Sequence, residues 1–443
     1  MKRKKNQLIR SSNHTIKFSN INKIDRLKDL KDEYSDAVRN YADYLWHNEI
    51  HWFSDTKDKN IEHIFCLAEG MYDLGSCLDY KLVKFETRLS ARALSFAMNQ
   101  AVGIVRSHSN KIIKMNEKLD WMEQNNKTEA KIEKYKERIQ RIKQVESIDM
   151  KNINMELSSK CCEFIADERH FNGWIKLKYL GKDFEDILIP IKFHQHSNKL
   201  KEEFEMMTSF LISTDSINIR WTKDKAHKKS EGLVVGGDPG VNRICTFSHL
   251  QQEDNTEYTD CLKKITRKRK NSGNYKKAIA QRGNIVNEFI NNIDFTDVKQ
   301  INLEDNSTIH YKNYSGQNLS HYAYGEIKNK INSVAAEQGV LVSLQSSFYK
   351  SQRCSKCGWV QKSNRNGKKF CCKKCGLHLD ADFNSSINQT CKLTLLPLAV
   401  KEMKLNIRGF FWNSNGVFDE SGTEFRVSNS IIQDKLDDMF ILI

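Results

Sequence analysis

The sequence lacks the features that mark secreted and membrane-spanning proteins. It has only three prolines and 20 glycines among 443 residues, so long helices and compact connections are expected rather than a Pro- or Gly-rich linker. No run approaches the roughly 20 apolar residues of a spanning helix. The amino terminus MKRKKNQLIR leads into polar sequence instead of an apolar signal core. A soluble, intracellular protein with no membrane partner is therefore expected.

Negative charge is also in short supply. The chain carries 71 Lys and Arg against 56 Asp and Glu, a formal net charge of +15. Such a surplus indicates an anionic partner. Nucleic acid is the commonest, because each neutralised phosphate releases counterions, and an anionic membrane surface is the rival. With 39% hydrophobic and 10% aromatic residues the chain can bury real cores, so disorder throughout is excluded and about two to four domains are expected.

Apolar periodicity divides the first half of the chain. Helical spacing over residues 28–46 and 85–150 predicts a helical domain, whose dense Lys and Glu face is either a solvated surface or the lining of a nucleic-acid channel. Within 171–221 the period changes to two, and apolar residues from Ile175 to Tyr179 alternate with lysines. This pattern predicts a small antiparallel β unit, for which a purely structural barrel is the alternative.

A different order of elements follows from Ser230 onward. An apolar run enters Gly236-Gly237-Asp238, and residues 241–248 are predicted to return as a second strand after the Pro239-Gly240 turn. Predicted helices then alternate with predicted strands: helix 275–291, strand 301–304, helix 326–337 and strand 340–344. This order predicts an α/β sheet domain.

Five of the twelve cysteines are crowded into one short segment. Cys354-Ser-Lys-Cys357-Gly and Cys372-Lys-Lys-Cys375-Gly are separated by 14 residues. Four thiolates at this spacing close a tetrahedral zinc site without a spare ligand position, so the predicted role is structural. Cys371 in place of Cys372 is the minor alternative, and a redox role for the pairs is disfavoured.

Two stretches contain no acidic residue. Residues 346–379 and 261–287 each carry nine Lys or Arg, and the second includes Arg267-Lys-Arg-Lys270. Aromatic residues are interleaved with the charges of the first stretch, namely Phe348, Tyr349, Trp359 and Phe370. Basic groups for phosphate and rings for base stacking are typical of single-stranded nucleic-acid surfaces, so both stretches are predicted nucleic-acid faces. An incidental charged surface is the alternative.

Three acids stand at the ends of predicted sheet elements. Asp238 and Glu304 each end a predicted strand, and Asp382 follows the cysteine segment where a helix is expected to start. Each alone is typical of a turn or cap residue, and Asp382 in particular has the setting of a helix N-cap. Together, in a basic protein, they suggest two Mg²⁺ ions that clamp the attacking water and the leaving oxygen of a phosphodiester.

Five motifs, in order, resemble the split RuvC nuclease and zinc-ribbon motifs of the transposon-encoded TnpB nucleases and their descendants, the miniature type V CRISPR effectors. They are Gly236-Gly-Asp238-Pro-Gly-Val-Asn242, Leu303-Glu-Asp305, Tyr349-Lys-Ser-Gln-Arg-Cys-Ser-Lys-Cys357-Gly, Phe370-Cys-Cys-Lys-Lys-Cys375-Gly and Asp380-Ala-Asp-Phe-Asn384-Ser-Ser-Ile-Asn388. The resemblance covers residues 232–390. Pro239 replaces an aliphatic residue of the family and Ser385-Ser386 replaces Ala-Ala, and both changes leave the acids in place.

The resemblance implies an RNA-guided DNA endonuclease of multidomain α+β architecture. An RNase H-like (RuvC) domain would cut the DNA with two catalytic Mg²⁺ held by Asp238, Glu304 and Asp382. Asp382 is preferred over Asp380 because it stands two residues before Asn384, as the catalytic aspartate of the family does. One structural Zn²⁺ would be held by Cys354, Cys357, Cys372 and Cys375. The zinc ribbon would help load the DNA strand into the nuclease site.

The implied partners are a guide RNA and double-stranded target DNA that carries a short flanking motif read by the protein itself. Whether one copy or a homodimer holds one guide stays open. A cytoplasmic, nucleoid-associated location in a prokaryote is expected. Two alternatives remain beside cleavage: an RNA-guided binder that represses without cutting, and an RNase H-like transposase or resolvase that works without guide RNA.

Domain boundaries follow from the same resemblance. They are a wedge-like, guide-binding β-barrel domain at 1–22 and 151–226, a helical recognition domain at 23–150, a RuvC-like domain at 227–350 and 377–443, and a zinc-ribbon target-strand-loading domain at 351–376. The first wedge strand is expected around Thr15 to Phe18. The tail from Lys392 onward carries no recognised motif. Its aromatic cluster Phe410-Phe-Trp412 and its acidic amphipathic end are expected to serve packing, and an interaction surface is the alternative.

Overall fold

The computed structural model describes residues 7–47, 85–125, 127–144, 148, 150, 153–167, 169–250, 254–306, 321–396 and 398–425. The chain forms two compact units, Met1–Asp224 and Lys225–Ile443. No helix in the described ranges is both long and apolar enough to cross a membrane.

Two long helices pack together in the described part of the first unit. Helix α1 (Ile21–His47) packs along α2 (Ala91–Gln124), whose Ala93, Ala97 and Ala101 are fully buried and allow the close approach. The Ser90 side chain caps α2 by accepting a hydrogen bond from the Ala93 amide. A third helix, α3 (Glu129–Ile142), follows a short break and buries only Ile139. The predicted helical stretch 85–150 therefore consists of two helices.

The described residues of the first unit also form two antiparallel sheets. The first has the strand order β1–β7–β6–β2, with β1 Gln7–Thr15, β2 Met155–Leu157, β6 Glu205–Ile212 and β7 Ser216–Asp224. The second has the order β3–β4–β5, with β3 Cys162–Ala166, β4 Gly173–Leu177 and β5 Ile187–Ile191, and helix α4 (Gln195–Glu203) follows it. The predicted antiparallel pairing is confirmed.

Two details of the predicted β unit are wrong. The first strand runs over Gln7–Thr15 rather than Thr15 to Phe18, because residues 16–19 form a turn and Asn20 then accepts a hydrogen bond from the Lys23 amide at the start of α1. The alternation that begins at Ile175 does not reach Tyr179 as a strand. Tyr179 has a positive φ of 56° and a 61% exposed side chain.

A mixed sheet with helices forms the core of the second unit. Its strand order is β11–β10–β8–β9, with β8 Leu233–Asp238, β9 Thr246–Phe247, β10 Val298–Asp305 and β11 Leu341–Ser346. Strand β10 runs parallel to both β8 and β11, and β9 is antiparallel to β8. The helices are α5 Thr256–Thr266, α6 Gly273–Asn291 and α7 Tyr324–Glu337. The predicted mixed α/β character is confirmed.

The second predicted strand of this domain is much shorter than expected. Residues 241–248 contribute only Thr246–Phe247 to the sheet, because the Gly240 amide donates to the Arg243 carbonyl in a turn that delays pairing. Phe247 is fully buried and packs edge-to-face on Phe295. The apolar character of 241–248 thus reflects burial in the core more than strand length.

A small ribbon and the chain that follows it complete the second unit. The strands are β12 Trp359–Val360, β13 Arg365–Asn366, β14 Lys369–Cys371, β15 His378–Asp380, β16 Phe410–Asn413 and β17 Gly416–Phe418, and the helices are α8 Ala381–Thr390, α9 Leu398–Glu402 and α10 Leu405–Arg408. Strand β16 pairs with β12, so Phe410 and Trp412 are buried beside Val360. The packing role predicted for this cluster is confirmed, whereas the predicted acidic end at 426–443 lies outside the described residues.

Candidate metal centres

The carboxyl ends of two neighbouring parallel strands bring Asp238 and Glu304 together. Asp238 is the last residue of β8, and Glu304 is the penultimate residue of β10. The register pairs Leu303 with Gly237, so the two acids stand side by side. Their side chains hydrogen-bond to each other and are only 9% and 8% exposed.

The buried acid pair binds a proton more tightly than free carboxylates do. Burial and the negative charge of Glu304 raise the pKa of Asp238 well above its ordinary value, and burial also raises the pKa of Glu304. A hydrogen bond between two carboxyl groups requires one of them to be protonated. A cation placed here would replace that proton and remove the repulsion.

Two further side chains hold Glu304 in place. The Asn306 side-chain amide donates to Glu304 Oε2 at 3.4 Å, and the Tyr324 hydroxyl donates to the Glu304 carbonyl at 3.1 Å. Tyr324 lies at the start of α7, so the helix after β10 returns to the site. These contacts fix the end of β10 that carries the acid.

Asp382 lies in the first turn of α8, and its negative charge contributes to raising the pKa of Asp238. The N-cap of this helix is Asp380, whose Oδ1 accepts from the amides of Asp382 and Phe383, each at 3.0 Å. The alternative in which Asp382 is the cap is therefore wrong. The capping residue is placed two positions earlier, which leaves the Asp382 carboxylate outside the cap.

The two acids of this turn have different basic partners. Arg243 Nη1 bonds to Asp380 Oδ1 at 2.7 Å. Burial alone would raise the pKa of Asp380, but the hydrogen bonds from Arg243 and the helix amides outweigh it and lower the pKa. Asp382 Oδ1 is bound by Arg365 Nη2 at 2.8 Å, from strand β13 of the ribbon. The Asp382 carboxylate, which is expected to bind a metal ion, is thus paired with the positively charged side chain of Arg365.

A lysine is buried close to the acids. Lys350 is 4% exposed, and its Nζ donates to Gln389 Oε1 at 2.8 Å. Burial lowers the pKa of Lys350 to about 8, partly offset by the negative charge of Glu304. Sequence reasoning assigned Lys350 and Arg365 to a nucleic-acid face, and nothing in their spacing indicates contact with distant acids.

Four cysteines of the ribbon form a site for one metal ion. The Sγ atoms of Cys354, Cys357, Cys372 and Cys375 all lie within 4.8 Å of one another. Two of the Sγ–Sγ distances, Cys354–Cys375 and Cys357–Cys372, are 3.6 Å. A tetrahedron with zinc–sulfur bonds of about 2.3 Å has edges of about 3.8 Å, so the four thiols fit such an ion.

The geometry distinguishes the two adjacent cysteines and explains the glycines. Cys371 Sγ faces His378 Nε2 at 3.5 Å, and Cys372 is the cysteine grouped with the other three. Gly358 and Gly376, after each Cys-x-x-Cys turn, have positive φ values of 80° and 71°, which other residues rarely adopt. Both amides donate back to the first cysteine of their turn at 3.0 Å.

Within the described ranges, no other group of three or more His, Cys, Asp or Glu lies so close together. The three predicted acids are therefore less tightly gathered than the thiols. Asp238 and Glu304 touch, while Asp382 faces Arg365. The catalytic assignment of these acids stays a prediction.

Part of the predicted stacking surface is wrong. Trp359 and Phe370 are 4% and 1% exposed and form the ribbon's core beside Cys354 and Cys372. A domain this small needs its rings inside. The basic tract itself divides in two, since Arg353 is buried, whereas the residues Lys356, Lys362, Lys368, Lys369, Lys373 and Lys374 are exposed.

The second acid-free tract remains largely at the surface. Residues 267–270, between α5 and α6, are all exposed. Arg282 is the exception, being 8% exposed and paired with Glu326. The exposure of the other lysines and arginines is consistent with a phosphate-binding face.

Comparison with known proteins gives one family match and two curated relatives. Residues 324–389 match the family described as Cas12f1-like, TNB domain. The CRISPR-associated endodeoxyribonuclease Cas12f1 of Sulfoacidibacillus thermotolerans is 35% identical over 89 residues, which are 20% of this chain and 21% of the relative. The enzyme of the same name from Syntrophomonas palmitatica is 41% identical over 59 residues, which are 13% of this chain and 12% of that relative. The chain thus spans only a small part of the curated relatives it matches.

Two solved structures align with most of this chain, at low sequence identity and low TM-score. The Cas12f1–sgRNA–target DNA complex has 14% sequence identity and a TM-score of 0.40, covering 87% of this chain and 99% of that chain. The mini-RNA-guided endonuclease CRISPR-Cas_phi3 has 9% identity and a TM-score of 0.47, covering 87% of this chain and 92% of that chain. The sequence matches confirm the resemblance to miniature type V CRISPR effectors for the segment that they cover.

Proposed function

We propose that this chain is a miniature type V CRISPR effector, an RNA-guided DNA endonuclease that cuts its target in a RuvC-like site. One observation carries the proposal: two buried acids, Asp238 and Glu304, lie side by side at the carboxyl ends of adjacent parallel strands, and the negative charge of Asp382 on α8 acts on Asp238. Such a cluster destabilises the fold unless a cation or a proton neutralises it. The matched relatives are named endodeoxyribonucleases, which supports the same reaction here.

The residues fit the two kinds of metal that the function needs. Carboxylate oxygens from Asp238, Glu304 and Asp382 suit two Mg²⁺ ions, and the four thiolates of the ribbon suit one structural Zn²⁺. When bound, Mg²⁺ ions at this site would supply an activated water and offset negative charge on the phosphate. The reaction is hydrolysis, with water attacking in line and no covalent enzyme intermediate.

The chain's own residues prepare and hold the site. To hold cations, the pair of Asp238 and Glu304 would have to be deprotonated, and the Asp382 carboxylate would have to be released from Arg365. Asn306 and Tyr324 keep Glu304 in place meanwhile. The exposed basic residues of 267–270 and of the ribbon neutralise backbone phosphates of the bound nucleic acid.

The proposal extends to partners and domains. The first unit's β sheets would form the wedge domain that holds the guide RNA, and α1, α2 and α3 would form the recognition domain on the heteroduplex. Target DNA would be double-stranded with a short flanking motif, and mass measurement of the guide complex would separate one copy from a homodimer. The boundaries predicted from the sequence, and a cytoplasmic location, belong to this proposal.

Sequencing the RNA that copurifies with the chain tests the proposal, followed by cleavage of a plasmid that matches the guide segment. The expected result is one RNA species with a constant scaffold and a variable segment, and Mg²⁺-dependent cuts only in the matching plasmid. Binding without cuts would indicate a repressor. Cleavage of branched DNA by protein free of RNA would indicate a resolvase, and either result would overturn the proposal.

A further inference from the structure

The helix that carries Asp382 has an unusual buried face. Five polar residues of α8 are fully buried, namely Asn384, Ser385, Ser386, Asn388 and Gln389. Burying a side-chain amide costs free energy unless its donors and acceptors are paired. The partners of these amides therefore show what this face of α8 is built to hold.

Two asparagines of α8 converge on one arginine of the loop between β11 and β12. Asn384 and Asn388 both donate from Nδ2 to the Arg353 carbonyl, at 2.8 and 2.7 Å. Arg353 in turn donates from Nη1 to Asn388 Oδ1 at 2.5 Å. We call these three residues, Asn384, Asn388 and Arg353, the amide clamp.

The amide clamp contacts the backbone on both sides of Cys354, a cysteine of the zinc site. Arg353 precedes Cys354, and the amide of Ser355, which follows Cys354, donates to Asn384 Oδ1 at 3.0 Å. Asn388 Nδ2 also donates to the Lys350 carbonyl at 3.0 Å. The loop that presents Cys354 is thus bonded directly to α8 at several points.

The other side of the same helix rests on the strand that ends at Asp238. At Gly236 an ideal Cβ would lie 1.8 Å from the Ser386 carbonyl oxygen, so only glycine permits this approach. Helix α8 therefore lies between the Cys354–Cys357 turn of the zinc site and the strand that carries Asp238. A shift of the Cys354–Cys357 turn would move Asp382 relative to Asp238 and Glu304.

We propose that Asn384, Asn388 and Arg353 are positioning residues that couple occupation of the Cys354–Cys357–Cys372–Cys375 site to divalent-cation binding by Asp238, Glu304 and Asp382. This inference rests on the proposed function and adds a second role for the ribbon. In strand loading the ribbon acts on DNA. Through the amide clamp it acts on the acids, and that effect is present without nucleic acid.

The test measures Mn²⁺ binding to the full chain, free of nucleic acid, by electron paramagnetic resonance. Protein is compared before zinc removal, after dialysis against a zinc-selective chelator that is then removed, and after zinc is restored. Zinc removal is expected to weaken Mn²⁺ binding about tenfold, the lower end of the usual effect of outer contacts on a metal site, and restored zinc should reverse the loss.

Asn388→Asp tests the clamp itself. It keeps the side-chain size and the acceptor for Arg353, but it loses both Nδ2 donors and faces two carbonyl oxygens with a carboxylate. The matched control is Asn366→Asp, which makes the same change at an exposed position of the ribbon. We expect zinc-loaded N388D to bind Mn²⁺ about tenfold more weakly, and to regain its cleavage rate at high metal concentration. N366D should match the wild type.

Equal Mn²⁺ affinity with and without zinc would overturn the inference, and so would equal affinity of folded N388D and wild type. The zinc-removal comparison uses the unchanged sequence, so it decides the matter even if N388D does not fold. In both outcomes guided cleavage by the wild type would still stand. Mn²⁺ binding by the wild type should be reduced in Asp238→Ala. If both bound Mn²⁺ equally, the catalytic assignment itself would be contradicted.

Discussion

At the residue scale, the three acids differ in what neutralises them. Asp238 and Glu304 are buried together, with pKa values raised by burial, whereas Asp382 is paired with Arg365. The sequence predicts which acids end strands and begin the helix, because strand ends and caps are local features. It does not predict Arg365 beside Asp382 or the burial of Lys350, since both depend on how the ribbon folds back on α8.

Asp238→Asn should stabilise the metal-free protein at neutral pH while abolishing cleavage. Because the pKa of Asp238 is raised above that of the unfolded chain, the folded state loses stability as pH rises from about 4 through the raised value. The amide removes this loss. We expect a Tm roughly 2–4 °C higher at pH 7, as about 1 kcal/mol produces in a unit of this size.

Calorimetry without divalent cations, at pH 7 and again near pH 4, measures this effect. The gain should shrink as pH falls, because the wild-type pair is then protonated in both folded and unfolded states. A Tm for D238N below the wild type at pH 7, or a gain independent of pH, would be inconsistent with a buried, proton-sharing pair.

Arg365→Ala should tighten cation binding at the acids. The substitution removes a positive charge that occupies Asp382 Oδ1 and repels an incoming cation. The concentration of Mn²⁺ at half-saturation should fall several-fold, as followed by electron paramagnetic resonance. Arg365→Lys, which keeps the charge, is the matched control and should change it less. Weaker binding in R365A would show that Arg365 supports the metal site instead of competing for it.

At the element scale, the zinc ribbon is a fold that its own strands cannot stabilise. Its core is Trp359 and Phe370 with the thiols, and β12 is completed by β16, which comes about 50 residues later in the chain. The cysteine spacing predicts the metal site, because ligand spacing is set locally. The inward direction of Trp359 could not be predicted, because aromatic residues among lysines are also typical of nucleic-acid surfaces and their partner strand is distant.

Cys357→Ser should abolish zinc binding and loosen the ribbon. Removing one of four thiolates leaves an incomplete site, and folding of so small a unit is coupled to its metal. Elemental analysis should fall from one zinc per chain to near zero. Hydrogen exchange should increase over residues 354–380 while it stays slow in β8 and β10. One zinc per chain in C357S would refute the assignment of Cys357. Cys371→Ser is the control and should retain the metal.

At the scale of the whole molecule, the sequence predicts the net charge but not the order of the strands in the sheets. The surplus of +15 is visible in the composition, and its exposed part includes residues 267–270. The mixed α/β character follows from the order of predicted elements. The strand order β11–β10–β8–β9 and the division of the first unit's strands into two sheets could not be predicted, because they are set by pairing between residues far apart in the chain.

Replacing residues 267–270 together by alanine should weaken target binding and flatten its salt dependence. For every phosphate that the protein no longer neutralises, the slope of log K against log salt becomes shallower by about 0.9. Binding of the guide complex to matched DNA, measured from about 50 to 200 mM salt, should therefore show a shallower slope than in the wild type. Alanine at Lys392 and Lys401, which are exposed in the segment after α8 and lie in neither acid-free tract, is the control for general charge loss. An unchanged slope in the 267–270 variant would remove this tract from the binding face.

The most direct test of the central claim is single-turnover cleavage of guide-matched DNA by Asp238→Ala, Glu304→Ala and Asp382→Ala. We expect each variant to lose cleavage by at least about 10³-fold, the scale of removing a group that stabilises the transition state, with unchanged binding of guide and target. Cleavage at the wild-type rate by any one of the three would contradict the claim that these acids share one catalytic site.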